Sequence, residues 1–220
     1  MSIVSRIYIV RHGETDSNRA GIVQGHLDTS LNAVGLGQAK QTADILSLVP
    51  FQFAFSSDLK RAAKTAEIIV SQHPDLSLQK QEALRERYMG EIEGKTAAWS
   101  GPTPSAESTP DFSKRAVQWW NRTIGQSVPA TATGDPPTNV LVVSHGGFIG
   151  ILLTTLPNSR KLQCAPGVSI GRCFNASISV VEVGADGKGT LVQFGDISHL
   201  TGQDLVETNV DELEIAVKRM

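Results

Sequence analysis

The chain has 220 residues, of which 40% are hydrophobic and 19% charged, with a formal net charge of −2. That length suits one compact domain spanning residues 1–220, and the composition excludes both a highly charged disordered chain and one dominated by long apolar spans. A nearly neutral chain has no global attraction to nucleic acid or anionic lipid, so any anion site must be a local cluster of cations.

Ile3 and Val4, interrupted by Arg6, are too short for the core of a signal peptide; a cytoplasmic location, open to the nucleus, is expected rather than secretion. Residues 6–10 read as a short buried strand. The polar run Arg11-His-Gly-Glu-Thr-Asp-Ser-Asn18 follows, and beyond Leu31 the residues Leu36, Ala39, Ala43 and Leu46 fall at helical spacing. Residues 51–55 read as a second strand. Behind it Ser56, Ser57 and Asp58 are expected to cap a helix whose Leu59, Ala62, Ala63, Ala66, Ile69 and Val70 share one face.

Residues 95–139 hold six of the ten prolines among Ser, Thr, Ala and Gly, an excursion from the domain. Within it residues 112–124, with Phe112, Ala116, Val117, Trp119 and Trp120, form one amphipathic helix that either caps a site or packs on the sheet edge. Residues 140–143 are the most strand-like run. They are ended by Ser144-His145-Gly146-Gly147 and followed by an apolar helix over residues 148–156. Residues 177–183 and 190–194 flank the glycine-rich stretch 184–189 as a scaffold hairpin at the sheet edge.

Three strand-then-helix units predict an α/β sandwich with a mostly parallel sheet and an antiparallel edge, binding its ligand at the carboxyl ends of the strands. Cys164 and Cys173 lack metal or disulfide spacing and are expected as thiols, and the acceptor patterns at Asn121 and Asn175 are expected to stay unmodified. No carboxylate cluster for Mg²⁺ is evident, so neither metal nor cofactor is expected.

Arg11 and His12 follow the first strand, Arg61 opens the helix after the second, and His145 follows the third. Singly, each reads as a structural histidine or a solvated arginine. Together at one sheet edge they suit a phosphoryl dianion: guanidinium binds its oxygens in a fork and imidazole can attack phosphorus. Gly13, Gly146 and Gly147 are expected to let the backbone approach that ligand.

The motifs Arg11-His-Gly-Glu-Thr-Asp-Ser-Asn18, Gln24-Gly25, Ser57-Asp-Leu-Lys-Arg61, Leu84-Arg-Glu86 with Gly90 and Gly94, and Ser144-His145-Gly146 resemble, in order and spacing, the histidine phosphatase superfamily. These are the phosphoglycerate-mutase-like enzymes of branch 1, and the resemblance spans residues 6–200. It implies a three-layer α/β/α sandwich with His12 as a nucleophile that forms phosphohistidine, and with Arg11, Arg61 and His145 around the transferring group. It makes Glu86 the general acid and later base, ahead of Glu82, Glu91 and Glu93, and lines the pocket with Glu14, Thr15, Asn18, Gln24, Gly25 and Gly146.

His12 then needs a proton acceptor for its second nitrogen, expected to be a backbone carbonyl of the glycine-containing turn, while His145 serves as a cationic or hydrogen-bonding stabiliser. His26, His73 and His199 are expected at the surface or in loops, with His26 nearest the site.

Mutases of this family commonly carry Trp-Asn where this chain has Ser17-Asn18, and a longer segment after the glutamate motif in place of its proline-rich stretch. The resemblance therefore favours a metal-independent phosphatase of the fructose-2,6-bisphosphatase-like or broad-specificity group. Its partner would be a small phosphorylated metabolite such as a sugar phosphate, not nucleic acid or membrane. The alternatives are mutase-type transfer and a catalytically silent binding module on the same fold; the intact set His12, Arg61, Glu86 and His145 argues against the second.

Overall fold

The computed structural model describes residues 2–96, 98, 101–128, 135–159, 161–202 and 206. Its strands are β1 (Ile3–Arg11), β2 (Phe51–Ser56), β3 (Leu78–Lys80), β4 (Thr138–Ser144), β5 (Leu162–Cys164), β6 (Ile178–Gly184) and β7 (Gly189–Asp196). They form one sheet in the order β3-β2-β4-β1-β6-β7-β5. The pairs β1–β4, β2–β4, β2–β3 and β5–β7 are parallel, and β6 runs antiparallel to both neighbours. The helices are α1 (Asp16–Arg19), α2 (Ala33–Leu46), α3 (Lys60–Val70), α4 (Thr109–Arg122) and α5 (Gly146–Thr155).

Strand β4 lies between β2 and β1 and is buried along its whole length, which explains its unbroken apolar core: both faces of a central parallel strand are covered by helices. Alternation along it separates two cores. Val140 and Val142 join Ile7, Ile9, Phe112, Trp119, Phe148 and Leu152 on the α4 and α5 side. Leu141 and Val143 join Val10, Ala43, Leu46, Ala62, Ala66 and Ile69 on the α2 and α3 side. The result is the expected three-layer α/β/α sandwich.

Helix α4 begins three residues before the predicted start, at Thr109, with Ser108 as its cap. It buries Phe112, Ala116, Trp119 and Trp120 in the first core, so much of the proline-rich excursion is tied into the sandwich; residues 97, 99, 100 and 129–134 of it lie outside the described residues.

Three elements were not legible as periodic runs: α1 is a single turn, and β3 and β5 have three residues each. Strand β5 also lies outside the hairpin of β6 and β7, so that hairpin is one strand in from the edge.

The cap of α3 differs from expectation. Its N-cap position is Leu59, which has no side chain able to accept. Ser57 Oγ accepts from Leu59 N–H at 3.3 Å, and the helix's first N–H, on Lys60, is met by Asp28 at 2.7 Å. Asp58 instead forms a fork with Arg85. A cap supplied from a distant loop serves the same unsatisfied helix donors.

Candidate active site

Parallel pairing of β1 with β4 sets Arg11 opposite Ser144, so the next residues, His12 and His145, leave the same edge side by side. His12 N–H donates to Ser144 O at 2.9 Å, and the two imidazole centroids are 5.2 Å apart. Arg61 comes from the first turn of α3, behind neighbouring β2. Glu86 follows a short helical turn, Glu82–Leu84, whose Leu84 carbonyl accepts from Ser144 Oγ at 2.7 Å. Arg11, His12, Asn18, Arg61, Glu86 and His145 are each at most 2% exposed. Six such groups are not buried together without a shared ligand or a full set of partners.

His12 Nδ1–H donates to Gly13 O at 2.7 Å, the kind of acceptor the sequence called for, which leaves the Nε2 lone pair for bond formation. Burial first, then the charges of Arg61 and Arg11, push its pKa well below the usual histidine value. The same causes, with His12 added, lower His145. Lowering from the ordinary histidine value leaves both rings neutral at pH 7, so His145 carries no charge in the unliganded site.

Arg61 Nη1 donates to Leu27 O at 2.7 Å and Nη2 to Gly25 O at 2.8 Å, while Arg11 Nη1 donates to Cys173 O at 2.6 Å. Neutral carbonyls hold these groups, and their charge is felt by both imidazoles. Arg11 Nε, Asn18 Nδ2 and both ring nitrogens of His145 are buried and meet no hydrogen-bond partner among the described residues. Each unmet buried group costs about 1–3 kcal/mol, and the oxygens of one phosphoryl group would satisfy the donors among them.

The Glu86 carboxylate accepts from Arg87 N–H at 2.9 Å and from Gly147 N–H, in the first turn of α5, at 2.8 Å. It is not the surface partner of Arg85, which is paired with Asp58. Its rivals lie elsewhere: Glu82 is 79% exposed, Glu91 accepts from Ser105, and Glu93 is held by the N–H groups of His26 and Met89.

The structure gives several expected pocket residues partners within the protein. Glu14 is forked to Arg19 and accepts from Asn32, which turns its carboxylate to the scaffold. Thr15 Oγ1 accepts from Asn18 N–H and donates to Gln24 Oε1. Gly25 supplies its carbonyl to Arg61 from a left-handed φ of 50°. Gly146 opens α5 beside His145 and is buried.

At Gly13 and Gly147 protein atoms also require glycine: a Cβ on Gly13 would lie 2.5 Å from Gly35 O of α2, and one on Gly147 would lie 2.4 Å from Glu86 Oε1.

Asn175 and Thr65 carry no motif or periodicity that marks them in the sequence as site residues. Asn175 Nδ2 donates to His12 O at 3.1 Å and to Asn18 Oδ1 at 3.3 Å, and the latter bond, with Thr15 N–H on the same oxygen, fixes which end of the Asn18 amide is left to bind. Ala176, next in line, holds a left-handed φ of 57° while its N–H meets the carbonyls of Arg11 and His12. Thr65 Oγ1 accepts from Gly13 N–H at 3.0 Å. His26 is half-buried with Nε2–H donating to Glu86 O at 2.9 Å, whereas His73 packs on Phe51 and His199 meets Thr42.

The family model for the histidine phosphatase superfamily (branch 1) matches residues 7–197. The chain belongs to this superfamily. A broad-specificity phosphatase of Saccharomyces cerevisiae is 31% identical over 94% of this chain and 92% of its own. A metal-independent phosphoserine phosphatase of Arabidopsis thaliana is 30% identical over 96% and 89%. Among solved structures, the phosphoglycerate mutase of Bacillus anthracis superposes with a TM-score of 0.72 at 27% identity, covering 90% of this chain and 96% of that one. Among the described residues of this superfamily member no helix is long and apolar enough to cross a membrane.

The histidines also set a pH dependence of stability. All five are pushed below their ordinary value, in each case chiefly by burial. An unfolded histidine takes up a proton near pH 6.5 where the folded one does not, so stability is full above about pH 6.5 and is lost as pH falls toward the folded values. The Tm of the wild type should fall between about pH 7.5 and 5.5, and His145→Asn, which cannot titrate, should flatten that slope. Identical slopes would contradict the burial of a neutral ring.

Proposed function

We propose that the protein hydrolyses phosphomonoesters of small metabolites, sugar phosphates among them, through a phosphohistidine on His12. The observation that carries this reading is the neutral, tautomer-fixed His12 set against Arg11, Arg61 and His145, with one buried carboxyl, Glu86, on the His145 side.

His12 Nε2 attacks phosphorus in line, the bond from phosphorus to the ester oxygen breaks, and the departing alkoxide takes a proton from the Glu86 carboxyl. Water then attacks the phosphohistidine and Glu86 takes its proton. The P–N bond breaks, returning neutral His12 and inorganic phosphate. Charge on the equatorial oxygens is met by the fixed donors of Arg11, Arg61, Asn18 and His145, which is the principal requirement of a loose transition state and makes a metal-independent route sufficient.

Hydrolysis is favoured over transfer within a bisphosphate by the surrounding charge. Arg19 is forked to Glu14, Arg85 to Asp58 and Arg115 to Glu107, and Lys60 is paired with Asp28. These four cations have carboxylate partners, which lessens the charge they offer to a second phosphate.

The test is a panel of sugar mono- and bisphosphates, glycerate phosphates and nucleotides, run beside a mutase assay with bisphosphoglycerate and repeated in chelator. Release of phosphate from monoesters at a rate unchanged by chelator is expected. Faster positional transfer than release would favour the mutase, and loss of activity in chelator would end the metal-independent reading.

A further inference from the structure

Arg115 stands in the middle of α4 and points into the segment that carries Glu86. Its Nε and Nη2 donate to the two oxygens of Glu107 at 2.9 and 2.8 Å. Nη1 donates to Ala83 O at 3.0 Å and Arg85 O at 2.8 Å, and Nη2 donates to Glu86 O at 3.0 Å. These bonds use all five N–H donors of a guanidinium.

The Phe112 ring lies 4.9 Å below the guanidinium, and the paired side chains are only 23% and 17% exposed. Glu107 binds the same segment a second time: its N–H donates to Tyr88 O at 2.8 Å, its carbonyl accepts from Arg87 Nε at 2.7 Å, and its carboxylate accepts from Tyr88 N–H at 3.3 Å. Residues 83–88 are thus fastened to residues 107–115 on both sides of Glu86. Three of the acceptors are the carbonyls of Ala83, Arg85 and Glu86, the last being the residue whose carboxylate meets Gly147.

We propose that Arg115, with Glu107, is the positioning residue for Glu86: it holds the acid's backbone so that the carboxyl stays beside the leaving group, without touching substrate. This rests on the assignment of Glu86 as the general acid. Lysine keeps the charge but offers its donors from one point and cannot span carbonyls of residues 83, 85 and 86 while gripping a carboxylate in a fork.

The test compares Arg115→Lys, Glu86→Gln and wild type in the full chain, using an alkyl phosphate, an aryl phosphate and inhibition by inorganic phosphate. In Arg115→Lys, kcat for the alkyl ester should fall about 10- to 100-fold and for the aryl ester less than about 3-fold, with phosphate inhibition unchanged within about 2-fold. Equal loss for both esters, or weakened phosphate inhibition, is the mark of a merely structural role and overturns the proposal.

If Glu86→Gln discriminates between the esters and Arg115→Lys does not, the positioning role falls and the acid stands. If Glu86→Gln itself fails to discriminate, the acid assignment falls and the positioning role with it. Should Arg115→Lys not fold, Glu107→Gln, which frees one side of the fork and leaves the carbonyl bonds, should show the same discrimination at smaller size; a folded Glu107→Gln without it overturns the proposal.

Discussion

His12→Ala is expected to lower turnover of aryl and alkyl phosphates alike by about 10⁴-fold or more, since removal of a covalent nucleophile abolishes the route rather than slowing a step. The surrounding donors do not depend on that ring. Arg11 is held by Cys173 O, Arg61 by Gly25 O and Leu27 O, and Asn18 by Thr15 and Asn175. Inorganic phosphate should therefore still bind the variant, and the fold should persist. Wild-type enzyme quenched in the steady state should carry an acid-labile phosphoryl label that His12→Ala lacks. A variant retaining near-wild-type rate, or a label that survives acid, would sink the phosphohistidine.

Glu86→Gln is expected to slow an alkyl phosphate by about 10²- to 10⁴-fold and an aryl phosphate far less, because a phenolate leaves without a proton and an alkoxide does not. The amide occupies the same volume and can still accept from Gly147 N–H, so phosphate inhibition should change little. Gly147→Ala provides an independent approach to the same group. Its Cβ would stand 2.4 Å from Glu86 Oε1, and a carboxylate only 1% exposed has no solvent in which to retreat. Alanine suits the helix, favouring it by about 1 kcal/mol over glycine, so a folded but leaving-group-selective enzyme should result. Equal slowing of both esters in both variants would remove Glu86 from proton transfer.

The three-layer architecture and the histidine and arginine positions were legible because each lies at the end of a strongly apolar run: 7–10, 51–55 and 140–143. Strand ends in a parallel sheet converge, so the chemistry at each end could be added together. Glu86 was not accessible in this way. It follows a three-residue turn rather than a strand, and four glutamates within twelve positions have the same local look; family resemblance ranked them, and burial with the Gly147 bond separates Glu86 from the rest.

Asn175, Thr65 and Arg115 were invisible for a different reason. Each acts on a partner 29 or more positions away through one or a few hydrogen bonds, and no periodicity encodes such a bond. At Gly13 and Gly147 a sequence shows that room is needed, not that Gly35 O and Glu86 Oε1 stand next to it.

The place of β4 in the sheet has a consequence for synthesis of the chain. Strands β1 and β2 are not neighbours; each reaches the other only through β4, which begins at residue 138. A nascent chain that stops short of it already holds Arg11, His12, Arg61 and Glu86 but lacks the strand that brings them to one edge. Its apolar strand edges stay unpaired during that interval, the condition in which partly made parallel sheets aggregate. Emergence of β4 delivers His145 and the Gly147 N–H in the same stretch, so the proposed nucleophile His12 and the proposed acid Glu86 are brought together only once β4 has paired. On the proposed mechanism the ribosome therefore releases competence late, once Cys173 and Asn175, which hold Arg11 and Asn18, have also emerged.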